Sequence, residues 1–240
     1  MKVGLSVALV GLLLLGGCAV VPSDPADREA YYEANDPIEP FNRAVFSFNR
    51  GLDAVLFKPL ATFYRDALPV TLRDSIHNFL NNLKSPVILA NNILQGDLEG
   101  AQVTVSRFAT NTVAGFGGFG DPAGDLGAKS RDEDFGQTLA VWGVGEGPYI
   151  MLPILGPSSP RDATGILVDS LADPVNMWAE NTGRHAIPVG RLVVRGLDER
   201  SRFIKTLDDL EKSSLDFYVT IRRRYRQLRE DAIRQGSSDH

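Results

Sequence analysis

Apolar residues recur at spacings of three and four along most of the chain from Pro37 onward, and this periodicity restricts the fold more than any other feature. Side chains three and four positions apart share one face of an α-helix. The first run contains Phe41, Val45, Phe48, Leu52 and Val55. We therefore predict that Phe41, Val45 and Phe48 lie on one helix face, packed either into a core or against a membrane.

Signals for helix ends accompany the pattern. Asp36 before Pro37 is typical of a helix start, with the aspartate as cap and the proline in the first turn. Later runs predict a helix that ends near Pro86, an apolar continuation over 87–94, and helices over 98–112 and 162–171. A further helical region after Pro188 is expected to break at Gly196, and the pattern then continues to the end of the chain.

Residues 115–160 are instead rich in glycine and proline. No run of alternating apolar and polar residues occurs in the sequence, nor does a hairpin turn between two such runs. The predicted fold class is therefore all-α, a single domain of amphipathic helices over residues 36–235 with an irregular middle segment.

The first eighteen residues have the organisation of a lipoprotein leader. Lys2 precedes an apolar run that is too short to span a bilayer, and small residues then lead to Cys18, the only cysteine of the chain. We expect residues 1–17 to be cleaved, Cys18 to carry lipid, and residues 18–35 to form a polar tether. A chance thiol at the end of an ordinary signal peptide is the alternative. Ala19 follows Cys18, and resemblance to known lipoproteins then implies sorting to the outer membrane.

The charge balance excludes some partners. The formal net charge is −5, and removal of the leader with Lys2 makes it one unit more negative, which argues against nucleic-acid binding and a polybasic membrane anchor. After the leader, no apolar stretch is long enough to span a bilayer, so contact with the membrane interior would use amphipathic surfaces.

Signals for enzyme chemistry are weak. The stretch GFGGFG at 115–120 matches a dinucleotide-binding motif, but a helical segment precedes it where that motif needs a strand. Ser158 and Ser159 lie in a Gly-Pro turn without G-x-S-x-G, and His185 could serve as base only if the fold brings a nucleophile to it. A lipid or cell-wall hydrolase stays open as an alternative. His77, between apolar residues, is interpreted as structural, and the histidine spacing predicts no zinc site or other metal or cofactor.

Five arginines lie within the stretch RRRYRQLR at 222–229. The favoured interpretation is a solvated helix face. The alternative is a site for lipid phosphates or for an acidic partner, because a guanidinium group matches phosphate and carboxylate geometry.

A dense, ordered set of residues from 35 to about 165 resembles one known family. The matching stretches include Asn35–Pro37, Phe41–Arg43, Leu94–Gly96, Asp134–Leu139, Trp142–Gly143, Gly147–Tyr149 and Gly156–Ser158. They are similar to the VacJ/MlaA outer-membrane lipoproteins, which maintain lipid asymmetry. The resemblance implies an all-helical, ring-shaped, non-enzymatic protein in the inner leaflet of the outer membrane. Its central channel would let phospholipids leave the outer leaflet toward a periplasmic carrier protein, in association with a porin trimer. A structural lipoprotein that only tethers porins is a further alternative.

The stretch WGVGEGPYIMLPILGPSSPRD at 142–162 is a candidate gate in such a channel. Pro153 argues against a central strand, and the prolines with the glycines argue against a regular helix. We predict a hinged hairpin in which Gly143, Gly145 and Gly147 supply flexibility and the run with Tyr149 and Pro153 contacts acyl chains. A tight turn followed by ordinary core is the alternative.

Overall fold

The structure of the protein, a computed structural model, describes residues 24, 28 and 34–237. The leader, Cys18 and most of the tether lie outside the described residues, so their assignments stay predictions. In chain order the elements are α1 (Glu39–Leu52), a π-helical turn (Asp53–Phe57), α2 (Lys58–Ala67), α3 (Val70–Gln95), α4 (Leu98–Val113), α5 (Pro122–Asp125), α6 (Phe135–Val141), β1 (Ile150–Leu152), β2 (Gly156–Ser158), α7 (Pro160–Ala172), α8 (Pro174–Asn181), α9 (Ala186–Arg202), α10 (Ile204–Ser213) and α11 (Phe217–Ser237).

The prediction of an all-helical single domain is confirmed, with one small addition. Strands β1 and β2 form an antiparallel hairpin in which Ile150 lies opposite Ser158 and Leu152 opposite Gly156. This hairpin lies within the segment for which a hinged hairpin was predicted, but the sequence showed no sign of paired strands. Each strand has only three residues and β2 contains glycine and proline, so no alternating pattern can develop.

Two helices run through residues that were expected to end them. Helix α3 continues past Pro86, and α9 continues past Gly196 as far as Arg202. Proline removes one backbone hydrogen bond and a helical glycine costs about 1 kcal/mol, but packing offsets such costs. In α3, Leu80, Val87 and other residues on both sides of Pro86 are buried.

Asp36 does not cap α1, contrary to prediction. Ile38 occupies the N-cap position and provides no side-chain hydrogen bond. The Asp36 side chain is instead 2% exposed and accepts hydrogen bonds from Asn42, Tyr218 and Arg222. The Asp36 carboxylate therefore bonds to side chains of the distant C-terminal helix α11 and does not cap α1, the helix next to it in sequence.

The hydrophobic core includes a cluster of Tyr149, Met151 and Tyr218, against which Val45 packs. Many other buried positions are polar, among them Asn82, Asn91, Asn92, Gln95 and Thr138. Hydrogen bonds between these side chains join α3 to α4 and α6. Polar contacts as well as apolar packing therefore join these helices.

The predicted face of α1 is divided between core and surface. Val45 packs against the core cluster, whereas Phe48 is 57% exposed and Phe41 is 37% exposed. Large apolar side chains are also exposed elsewhere in the fold, including Val55, Phe63, Val113 and Phe116. Within the described residues, no helix combines the length and apolar character needed to cross a membrane.

Candidate functional site

A polar cavity of about 460 Å³ lies between α3, α4, the segment 121–132 and α9. Most of its lining side chains can form hydrogen bonds: His77, Asn78, Asn81, Asn82, Lys84, Ser85, Thr104, Arg107, Asn111, Asp121, Ser130, Arg131, Asp132, Arg195 and Glu199. The apolar lining consists of Ile88 and Phe203. The sequence stretch NFLNNLKS of α3 supplies much of this polar wall.

One side of the cavity is fixed by Arg107 and Asp121. Arg107 Nη2 donates to both oxygens of Asp121 at 2.9 Å, and Asn111 Nδ2 donates to the same carboxylate at 2.8 Å. Burial raises the pKa of Asp121, but the hydrogen bonds from Arg107 and Asn111 outweigh it and lower that pKa below its usual value. The carboxylate therefore stays ionised and holds the end of α4 against the segment that follows.

The opposite side is fixed by Asp198 of α9, which is almost fully buried. Its Oδ2 lies 2.7 Å from His77 Nδ1 and accepts a hydrogen bond from Arg202 Nε at 3.1 Å, while Tyr64 donates to Oδ1 at 3.3 Å. Burial, followed by the nearby Asp198 charge, raises the pKa of Tyr64 to about 12. These contacts connect α2, α3 and α9, as the structural interpretation of His77 predicts.

A second cavity of about 330 Å³ adjoins the first, and the surface that lines it is mainly apolar. Its apolar lining includes Leu80, Val87, Val189 and Leu192. On its rim, Arg191 donates through both terminal nitrogens to Asp173, each at 3.0 Å, which ties α9 to the start of α8. Lys84 and Arg195 line both cavities.

The candidate gate is the hairpin, and three asparagines attach it to α1 and the residues before it. Asn42 donates to the Tyr149 carbonyl at 3.0 Å and accepts from the Met151 N–H at 2.9 Å. Asn49 does the same for the carbonyl of Leu152 and the N–H of Ile154. Asn35 Nδ2 donates to the Gly147 carbonyl, and its own carbonyl accepts from the N–H of Tyr149. These contacts bond backbone groups of the hairpin segment that the pairing of β1 with β2 leaves without a partner.

The three glycines of the predicted hinge differ in their backbone dihedral angles. Gly143 and Gly147 have φ values of +87° and +77°, which favour glycine, whereas Gly145 has no such φ and open space around its Cα. Tyr149 is buried in the core cluster, and Pro153 is exposed at the hairpin tip. Flexibility at the glycines and contact with acyl chains both stay predictions.

The arginine-rich stretch of α11 was expected to be a solvated helix face, and this expectation holds for only part of it. Arg223 and Arg224 are exposed, but Arg222 is 6% exposed and donates to Asp36 at 2.6 Å and to Glu39 at 3.2 Å. Positions 222 and 229 are seven residues apart and therefore share a face that meets acidic side chains of this same chain.

Arg229 makes the second of these internal contacts. It donates to Asp134 at 2.6 and 3.0 Å and to Asp162 at 3.0 Å, which connects α11 to the starts of α6 and α7. Burial raises the pKa of Asp134, but the hydrogen bonds and charge of Arg229 outweigh it and lower that pKa to about 2. The sequence left open an acidic partner for these arginines. For Arg222 and Arg229, that partner consists of carboxylates of the same chain.

The residues considered for hydrolysis have other contacts. Ser159 caps α7 by accepting from the Asp162 N–H at 3.1 Å, and the buried Ser158 hydroxyl donates to the Ser159 carbonyl at 3.3 Å. His185 lies on the surface beside Glu180, 3.0 Å away. Among the described residues, no group of three His, Cys, Asp or Glu side chains is arranged to hold a metal ion.

Comparison with known proteins gives one consistent result. Residues 34–232 match the family model described as MlaA lipoprotein. The intermembrane phospholipid transport system lipoprotein MlaA of Shigella flexneri is 37% identical over 98% of this chain and 90% of its own length. The protein of the same name from Escherichia coli (strain K12) is 36% identical with the same coverage, and that of Haemophilus influenzae is 32% identical over 95% of this chain.

A solved structure leads to the same family. It comes from work on the structural basis for maintenance of bacterial outer membrane lipid asymmetry, with 34% sequence identity and a TM-score of 0.74. The match covers 82% of this chain and 98% of the solved chain. This protein therefore belongs to the MlaA lipoprotein family.

Proposed function

We propose that this protein is a phospholipid-transport lipoprotein of the outer membrane, which removes mislocalised phospholipids from the outer leaflet and passes them to a periplasmic carrier. The polar cavity between α3, α4 and α9 is the observation that carries the proposal. A phospholipid head group crosses hydrocarbon only at a high cost in free energy, and hydrogen-bonding walls lower that cost. The names of the relatives, which refer to intermembrane phospholipid transport, support the same function.

The outer surface supports a location in one leaflet. Val55, Val113 and Phe116 are each more than 80% exposed, and exposed apolar side chains such as these could contact acyl chains. Acyl chains on Cys18 would hold the protein at the periplasmic leaflet of the outer membrane. A porin trimer and a periplasmic carrier protein enter the proposal through the family resemblance, as the partners that position the protein and receive the lipid.

The same proposal assigns the protein no catalytic role. Ser158 and Ser159 are buried and bonded to backbone groups of their own turn, which supports a structural role. Incubation of the purified protein with radiolabelled phospholipid or with cell-wall fragments should release no product. Turnover that Ser158→Ala or Ser159→Ala abolishes would instead favour the hydrolase.

The central experiment is mass spectrometry of lipid that co-purifies with the full-length protein after mild detergent extraction. We expect about stoichiometric phospholipid, and exposed phospholipid at the surface of a deletion strain. Wild-type surface lipid in that strain, with porin binding but no bound lipid, would favour the tethering alternative and contradict transport.

A further inference from the structure

The polar and apolar cavities meet at two cationic side chains. Along α9 the apolar cavity lies beside Val189 and Leu192, the polar cavity beside Glu199, and Arg195 lines both. On α3 the corresponding shared residue is Lys84. The boundary between apolar and polar lining is therefore marked by one lysine and one arginine on facing walls.

These two cations have weaker partners than the other cations nearby. Arg191 pairs with Asp173, whose side chain is 10% exposed, and Arg107 pairs through two hydrogen bonds with Asp121. Asp169 lies close enough to Lys84 to interact with its charge, but its carboxylate already accepts hydrogen bonds from Asn91 and from the N–H of Phe135. The carboxylate bonded to Lys84 belongs to Asp132 and is 67% exposed, and the one bonded to Arg195 belongs to Glu199 and is 50% exposed. Exposed ion pairs contribute little free energy, so an incoming anion can displace these carboxylates into water.

The apolar cavity, the cationic boundary and the polar cavity follow one another in the same order as the acyl chains, the phosphate and the head group of a phospholipid. A phosphate monoanion lies between the acyl chains on glycerol and the polar head group. With acyl chains toward Leu192 and the head group toward the asparagines of the polar cavity, the phosphate would lie at the boundary. Lysine and arginine both bind phosphate, arginine through two parallel hydrogen bonds and lysine as a point charge.

We propose that Lys84 and Arg195 form a phosphate-binding subsite that holds a phospholipid at the boundary between the two cavities. This inference rests on the proposed transport function and adds the chemical group that is recognised. The subsite binds any glycerophospholipid through its phosphate and discriminates against a diacylglycerol, which lacks one.

The test uses the full-length detergent-extracted lipoprotein and the double variant Lys84→Gln/Arg195→Gln. Binding of phosphatidylglycerol and of diacylglycerol with the same acyl chains is measured in micelles of a neutral detergent, with glycerol 3-phosphate as a third probe. The matched control is Lys205→Gln, because Lys205 is 92% exposed on α10 and lines neither cavity. The conservative variant Lys84→Arg/Arg195→Lys keeps both positive charges but exchanges the side chains, so it tests whether binding depends on the charge or on the shape of the side chain.

We expect the wild type to bind phosphatidylglycerol at least tenfold more tightly than diacylglycerol, because charge-assisted hydrogen bonds are lost without the phosphate. The double glutamine variant should lose about that factor for phosphatidylglycerol and leave diacylglycerol binding unchanged, while the control and the charge-conserving variant keep the preference. Thermal unfolding of each variant checks that the fold is intact.

Three outcomes overturn the inference, and a fourth concerns the proposed function. Equal phosphatidylglycerol binding by wild type and the double glutamine variant removes the subsite while transport stands. Equal wild-type affinities for phosphatidylglycerol and diacylglycerol show that phosphate is not recognised. Equal affinities for glycerol 3-phosphate and phosphatidylglycerol identify a free-anion site without an acyl contribution. If the wild type binds no lipid at all, the proposed function itself fails.

Discussion

The side chain of Asn42 bonds to the backbone of Tyr149 across 107 positions of sequence, with its Nδ2 3.0 Å from the Tyr149 carbonyl oxygen. The same carboxamide also accepts from the N–H of Met151 and donates to Asp36. One buried asparagine thus connects α1, the hairpin and the acidic residue that binds α11. Its replacement affects all three contacts at once.

Asn42→Ala should destabilise the protein by about 3 kcal/mol, because buried backbone groups of the hairpin lose their partners. Asn49→Ala is the matched comparison. Its contact with Ile154 lies near the exposed hairpin tip, where water can replace it, so we expect a loss of about 1 kcal/mol. Urea unfolding measures both values, and amide exchange at Met151 should accelerate in the first variant. Equal losses for the two variants would contradict the attachment described here.

Arg222→Gln should cost about 3–5 kcal/mol, because it leaves the buried carboxylate of Asp36 without its cation. Arg223→Gln, at the exposed position next to the buried Arg222, should change the free energy of unfolding by less than about 0.5 kcal/mol. Chemical denaturation of the two variants gives the comparison. A small effect of Arg222→Gln would show that α11 is held by its other contacts.

Acid should weaken the attachment of α11 through Asp134. Its pKa in the folded protein is lowered to about 2 from 3.8, so its contribution is complete above the unfolded value and is lost as pH falls from about 4 toward 2. That contribution is roughly 2 kcal/mol. Asp134→Asn should be less stable than wild type at pH 7, and the difference should shrink in this window. Unfolding curves at several pH values measure it, and a constant difference down to pH 2 argues against the ion pair.

The hinge prediction is best tested at Gly145. Gly145→Ala meets no neighbouring atom within 4 Å and needs no left-handed backbone, so the fold should persist while the segment stiffens. Gly147→Ala is less informative, because a φ of +77° and Pro160 at 3.2 Å introduce strain. If the segment is a hinge, Gly145→Ala weakens the outer-membrane barrier at normal protein levels. Normal resistance to detergents and large antibiotics in that strain would rule out a hinge at this position.

Cys18→Ser tests the predicted lipid anchor. Serine offers no thiol for acylation, so the variant should keep its leader or leave the outer-membrane fraction. Labelling with radioactive fatty acid and membrane fractionation provide the readouts. Wild-type labelling of the variant would place the lipid elsewhere.

The sequence predicted the helices, because a helix produces a local periodicity of apolar residues. Spacings such as Phe41–Val45–Phe48 identify helices because a helical face repeats within one or two turns. The same reasoning placed the ends of α3 and α9 wrongly at Pro86 and Gly196. Packing on both sides of Pro86, and the buried residues Asp198 and Ser201 that follow the exposed Gly196, outweigh the local propensity.

The sites that were missed depend on long-range pairing. The contact of Arg222 with Asp36 spans 186 positions, and local charge patterns cannot identify the partner. One signal was present, since Asn35, Asn42 and Asn49 are spaced by seven residues, or about two helical turns. The polar run on α3 around Asn81, which lines the polar cavity, is a second signal of this kind that the sequence-based prediction did not use.

The long separation in sequence between Asp36 and Arg222 also has a consequence for the order in which the chain folds. A chain exported from its N-terminus presents Asp36 early, whereas Arg222 follows 186 residues later. Until that arginine arrives, the buried carboxylate has no cation and the hairpin lacks the aromatic packing of Tyr218. We therefore expect the nascent chain to stay incompletely closed, with apolar surface exposed, until its last helix has crossed the inner membrane.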